Sequence, residues 1–157
     1  MFKSNIKKIE KMNNIAEVKL TYITKVKASD REKVISSESA CKIFRPFFSD
    51  IMEYKEAFYV MYLNKANKVL GVIKLSEGGC SGTVADGKII FQGGLLANAQ
   101  AMILCHNHPS GQLIASEADL KLTLKMVEFG KMIDLPILDH IIITEESYYS
   151  FADNGKI

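Results

Sequence analysis

The sequence predicts an α/β (α+β) domain, a mixed and mainly antiparallel sheet flanked by helices, and three observations predict it. Short β-branched and aromatic runs interleave with amphipathic stretches of helical length along the chain. Of the 157 residues 48% are apolar, enough to bury a core at the size of one domain. Two of the apolar runs are joined by a short polar segment, the mark of an antiparallel hairpin.

Each element has its own justification. Residues 16–27 (AEVKLTYITKVK) alternate with a period of two and predict a strand, with Lys19, Lys25 and Lys27 turned to water. This strand belongs to a short N-terminal extension, residues 1–35, ahead of a domain over 36–157. Ser36 and Ser37 offer N-caps for a helix running toward Phe48, which Pro46 bends or ends. Residues 58–63 (FYVMYL) and 69–75 predict paired strands around the turn NKANK. The segment 76–83 (SEGGCSGT) holds three glycines and predicts a loop. Residues 88–100 predict a helix despite the low propensity of Gly93 and Gly94. Residues 101–105 (AMILC) predict a buried strand, and 116–130 a helix with Leu120, Leu124 and Val127 on one face and Gly130 at its stop. Two last strands are expected over 137–144 and 147–151.

A formal net charge of +2 excludes a supercharged nucleic-acid binder and a disordered acidic tail. The first 33 residues are locally basic, with nine Lys or Arg against four Asp or Glu. No apolar signal region opens the chain and no apolar run is long enough to span a bilayer, so no membrane association is expected. Cys41, Cys80 and Cys105 form neither a disulfide framework nor a cysteine-built zinc site, and a reducing cytoplasm is the natural compartment.

Chemistry concentrates in residues 104–119, LCHNHPSGQLIASEAD. His106 and His108 are two apart, so on an extended backbone both imidazoles point to one side. Asp119, early in the next helix, brings a carboxylate, and the Pro109-Ser110-Gly111 turn folds the chain back toward the pair. Two histidines and a carboxylate leave a fourth tetrahedral position for water, the catalytic rather than the structural zinc arrangement. Simpler readings compete. A strand-end histidine pair is often a polar turn, and Ser116 with Asp119 also reads as a helix cap with an acid near the positive helix end.

The joint spacing, His-x-His-Pro with Ser eight and Asp eleven residues after the second histidine, resembles the JAMM motif of the JAB/MPN metalloproteases. The phrases HNHPSG, LDHIII and YYSFADNG resemble its RadC-like branch, and the resemblance covers residues 36–155. It implies a JAB/MPN, cytidine-deaminase-like architecture and Zn2+ held by His106, His108 and Asp119. It also implies Glu56, in KEAFYVMYL, as general acid/base and Ser116 as support for an oxyanion. Taken alone, Glu56 is a surface residue opening a strand, and Glu53 competes with it. Asn107, Pro109 and Ser110 read as turn-shaping residues and His140 as a satisfied structural histidine, with a supporting role for the site as its alternative. Alternation points Cys105 into the core. The sequence departs from the family at Ala115, where proline is common, and at Gln92, where arginine is common in RadC-like chains. With no glycine before Gly71, the N-terminal helix-hairpin-helix module of longer RadC proteins is not expected.

The function implied is a zinc-dependent peptidase or isopeptidase with a peptide or protein substrate. The competing class is a non-catalytic accessory protein of DNA repair that binds nucleic acid, for which the basic N-terminal stretch is the electrostatic hint. A zinc nuclease or deaminase fits least, because no cysteine pair accompanies the histidines.

Overall fold

The computed structural model describes residues 22–78 and 85–157. Within them β1 (Ala57–Leu63), β2 (Val69–Glu77), β3 (Ala101–Asn107), β4 (Ile137–Ile143) and β5 (Tyr148–Ser150) form one sheet. Its order is β2-β1-β3-β4-β5. Only the β3–β4 pair is parallel; the other three pairs are antiparallel. β1 and β3 are buried at every residue. This explains why they read as continuous apolar runs rather than as alternating ones.

Helices cover both faces. On one lie α1 (Ser37–Phe44) and a 3-10 turn, Arg45–Phe48, packed over Met61, Ile103, Cys105 and Ile141. On the other lie α2 (Gly87–Leu96) and α3 (Glu117–Met132), whose Ile90, Phe91, Met126 and Val127 meet Val60, Met102 and Leu104. The predicted cap of α1 forms: the Ser36 side chain accepts from the Ser39 N–H, and the Ser39 hydroxyl accepts from the Ser36 N–H in return. Pro46 sits in the first turn of the 3-10 segment, where its missing N–H costs nothing. Gly93 weakens α2 intrinsically but serves its packing. A Cβ there would lie 2.1 Å from the Tyr62 hydroxyl, which donates to the Ile90 carbonyl at 2.9 Å.

Four expectations need correction. Of the strand expected over 16–27, residues 16–21 lie outside the described residues, and 22–27 form no strand and are exposed. The hairpin is met instead by Glu32 and Val34, through Val69 N–H to Glu32 O and Val34 N–H to Asn67 O, both 2.9 Å. The glycine segment expected from Ser76 begins later, because Ser76 and Glu77 complete β2 opposite Phe58 and Ala57; residues 79–83 lie outside the described residues. α3 does not stop at Gly130 but runs to Met132. Gly130 is buried because a side chain there would strike the Leu135 carbonyl, 2.5 Å from an added Cβ. The core face of α3 is Thr123, Met126, Val127 and Gly130, and Leu124 is exposed.

Candidate metal centre

Strand alternation separates the residues of β3 onto two faces. Met102 and Leu104 pack against α2 and α3, and Ala101, Ile103 and Cys105 pack against α1. His106 therefore faces α3, and Cys105 points into the opposite core, as its place in the strand predicts. Past the strand end the chain turns at His108. Gly111 closes this turn with φ +75°, its N–H donating to the His108 carbonyl at 3.0 Å.

α3 opens with a capping box. The Ser116 hydroxyl accepts from the Asp119 N–H at 3.1 Å, and the Ser116 N–H donates to Asp119 Oδ2 at 2.8 Å. The box forms with Ala115, rather than a proline, before it. The Ser116 proton also lies on Asp119 Oδ2, at 2.6 Å. So oriented, the carboxylate reaches the histidines: Oδ1 is 3.4 Å from His106 Nε2, and Oδ2 is 3.9 Å from His108 Nε2. The two Nε2 atoms are 3.0 Å apart. One ligand atom from each of His106, His108 and Asp119 thus lies within 4.8 Å of the others, a cluster able to hold a metal ion.

Hydrogen bonding assigns the tautomers. His108 Nδ1 is 2.7 Å from the Gln112 carbonyl, which can only accept, so Nδ1 carries a proton and, in the neutral ring, Nε2 is the nitrogen with the lone pair. For His106 the assignment runs through two further residues. The Thr123 hydroxyl donates to the Asp119 carbonyl at 2.6 Å, so toward His140 Nδ1, also 2.6 Å away, it accepts. His140 is wholly buried and its pKa is driven well below that of a free imidazole, first by desolvation and then by its histidine neighbours. Neutral and protonated at Nδ1, it presents a bare Nε2 to His106 Nδ1 at 2.8 Å, and His106 donates there. His106 Nε2 is then also bare. Its pKa is lowered to about 4, chiefly by burial, with a smaller push from His108 and against the pull of Asp119.

With both rings neutral, the two Nε2 lone pairs face each other at 3.0 Å, and a metal ion between them would satisfy both. A tetrahedral zinc with bonds of 2.0–2.1 Å would space its ligand atoms about 3.3 Å apart, and the measured separations of 3.0, 3.4 and 3.9 Å bracket that value. The donor set fits the metal.

His140 is buried with both ring nitrogens in hydrogen bonds, one of them to His106 of the cluster. Sequence reasoning misses Thr123; its place one helical turn after Asp119 could have marked it as a neighbour of the cluster, though not as a partner of His140. Phe58 and Phe151 wall the imidazoles: Phe58 stacks on His106 with centroids 5.8 Å apart, and Phe151 on His140 at 4.7 Å. Glu56 immediately precedes β1 and is partly exposed, its carbonyl accepting from the Gly78 N–H at 2.9 Å. Because Phe58 pairs with His106, alternation assigns Glu56 to the sheet face that carries both histidines. Glu53, its competitor, lies in the turn before it and lines a hollow of about 260 Å³ with His108, Glu145 and Glu146. Leu113, Ile114, Tyr149 and Phe151 line a more apolar hollow of about 360 Å³ on the other side of the 108–116 loop. No helix among the described residues is long and apolar enough to cross a membrane.

Comparison with known proteins finds relatives along most of the chain. A UPF0758 protein of Flavobacterium johnsoniae is 39% identical over 99% of the chain and 71% of its own length. One from Porphyromonas gingivalis is 36% identical over 81% of the chain, which spans only 56% of that relative. One from Methanosarcina mazei is 31% identical over 98% of the chain and 71% of its own length. The family model described as RadC-like JAB domain matches residues 34–156. The chain therefore belongs to the RadC-like JAB domain family.

Proposed function

We propose that the chain is a zinc-dependent hydrolase that cleaves a peptide or isopeptide bond. One observation carries the reading: two imidazole nitrogens and a carboxylate converge on a point between a strand and a helix. A divalent cation held there would polarise a carbonyl and make a coordinated water acidic near neutral pH.

The residues of the chain divide the remaining work. His106, His140 and Thr123 hold one ligand nitrogen bare, and Gln112 does the same for His108. The Glu56 carboxylate takes the proton of the attacking water as the new C–O bond forms. It returns that proton to the amine nitrogen as the C–N bond breaks. Ser116 holds its proton on Asp119 Oδ2, so service to an oxyanion requires the hydroxyl to turn from the carboxylate toward the substrate oxygen. The hollow beside His108 gives an extended chain room to pass the ligand set.

Glu56→Gln is the direct test. It should keep about one zinc per chain and lose at least about a hundred-fold in hydrolysis of any substrate found by peptide-library screening. A Glu56→Gln protein as active as the parent would overturn the assignment.

A further inference from the structure

The residue between the two histidines points away from them. Asn107 is wholly buried on the α1 side of the sheet. Its Oδ1 accepts from the Ala57 N–H at 2.8 Å, and its Nδ2 donates to the Met52 and Lys55 carbonyls, each at 2.8 Å. Both amide hydrogens and the carbonyl oxygen are therefore used. The partners lie in the turn segment before β1 and at its first residue, 50 to 55 residues earlier in the chain.

Two of those partners belong to the peptide groups on either side of Glu56. The Lys55 carbonyl is part of the peptide that enters Glu56, and the Ala57 N–H is part of the peptide that leaves it. One carboxamide thus grips both peptide planes whose relative rotation sets the Glu56 backbone. Glu56 itself stands between the turn and β1, where its carbonyl also accepts from the Gly78 N–H at 2.9 Å. The grip comes from the strand that carries the histidines, so ligands and clamp move as one body. Asparagine suits this role because it offers an acceptor and two donors in one plane; an aspartate would turn its second oxygen toward the Met52 and Lys55 carbonyls.

We propose that Asn107 is a positioning residue that fixes the Glu56 carboxylate relative to His106 and His108. This rests on the reading of Glu56 as the proton carrier. The test uses cobalt(II)-loaded protein and follows the pH midpoint of its visible absorption change in the parent, Glu56→Gln, Asn107→Ser and Asn107→Asp. Both Asn107 variants should keep about one cobalt per chain, and their midpoints should move in the direction of Glu56→Gln and at least half as far. Hydrogen exchange at the Ala57 amide should rise about ten-fold in Asn107→Ser, with Val60 in β1 unchanged. This local readout keeps the test alive if Asn107→Asp does not fold. A parental midpoint in Asn107→Ser beside a shifted one in Glu56→Gln would overturn the proposal alone. So would loss of cobalt as complete as in Asp119→Ala, because Asn107 would then be serving the ligands. A parental midpoint in Glu56→Gln would remove the base assignment and the proposal with it.

Discussion

The two faces of β3 are built from the same seven residues to opposite ends. On the α1 side Ala101, Ile103 and Cys105 pack in an apolar cluster, and Asn107 spends every hydrogen-bonding group on a backbone partner. On the α3 side His106 is equally buried, yet its Nε2 meets the His108 Nε2 across 3.0 Å. The first face gives each polar atom a backbone complement, whereas the second, with His108 just past the strand end, gathers nitrogens that could hold a metal ion. The contrast separates scaffold from site within a single strand.

Changing the ligands should break the contrast most severely. Asp119→Ala, or His106→Ala with His108→Ala, should lower zinc from about one per chain to under about a tenth, read by metal analysis after dialysis. Equal metal content in parent and variants would remove the site.

Acid should come next, acting on the metal-free protein. His106 titrates near 4 when folded against 6.5 when free, so between those values the unfolded chain binds the extra proton. The stability is whole above about pH 6.5 and is lost as pH falls toward 4, by about 3 kcal/mol from this group. The buried His140 adds in the same direction and Asp139, whose pKa burial raises, opposes them. Urea unfolding at pH 7 and pH 4 measures the sum, and a flat profile would contradict a buried, neutral His106.

Removing the orienting partner should cost less. His140→Phe leaves the His106 Nδ1–H without an acceptor, and zinc affinity should fall about ten- to a hundred-fold in a competition titration. An unchanged affinity would reduce His140 to packing. The smallest effect belongs to the other face: Cys105→Ala should cost about 1 kcal/mol in thermal unfolding and leave the zinc content as it was. Loss of metal in that variant would mean that the two faces are not independent.

Much of this was legible in the sequence because it is local. The cap at Ser36, the hairpin, the Ser116–Asp119 capping box and the histidine spacing depend on residues within a few positions of one another. What escaped depends on register between distant segments. Thr123 meets His140 across 17 positions, and Asn107 meets Ala57 across 50; no local pattern announces either pairing. Local rules also lost where packing overrode them. Gly130 carries the helix-ending residue type, but the close passage of the Leu135 carbonyl is what demands it. Over 22–27 the alternation builds no strand: Tyr22 meets β2 through its hydroxyl, which donates to the Leu70 carbonyl at 2.6 Å, and the backbone contacts to the hairpin come from Glu32 and Val34.

α3 carries Asp119 and, one turn later, Thr123, while both ligand histidines hang from the sheet or the turn behind it. An ion bound between them is a rivet through two layers that are otherwise joined by apolar contact. Loading the site should then raise the melting temperature in step with free metal concentration, and the helix, rather than the sheet, should be the layer that loosens first when the ion is withdrawn.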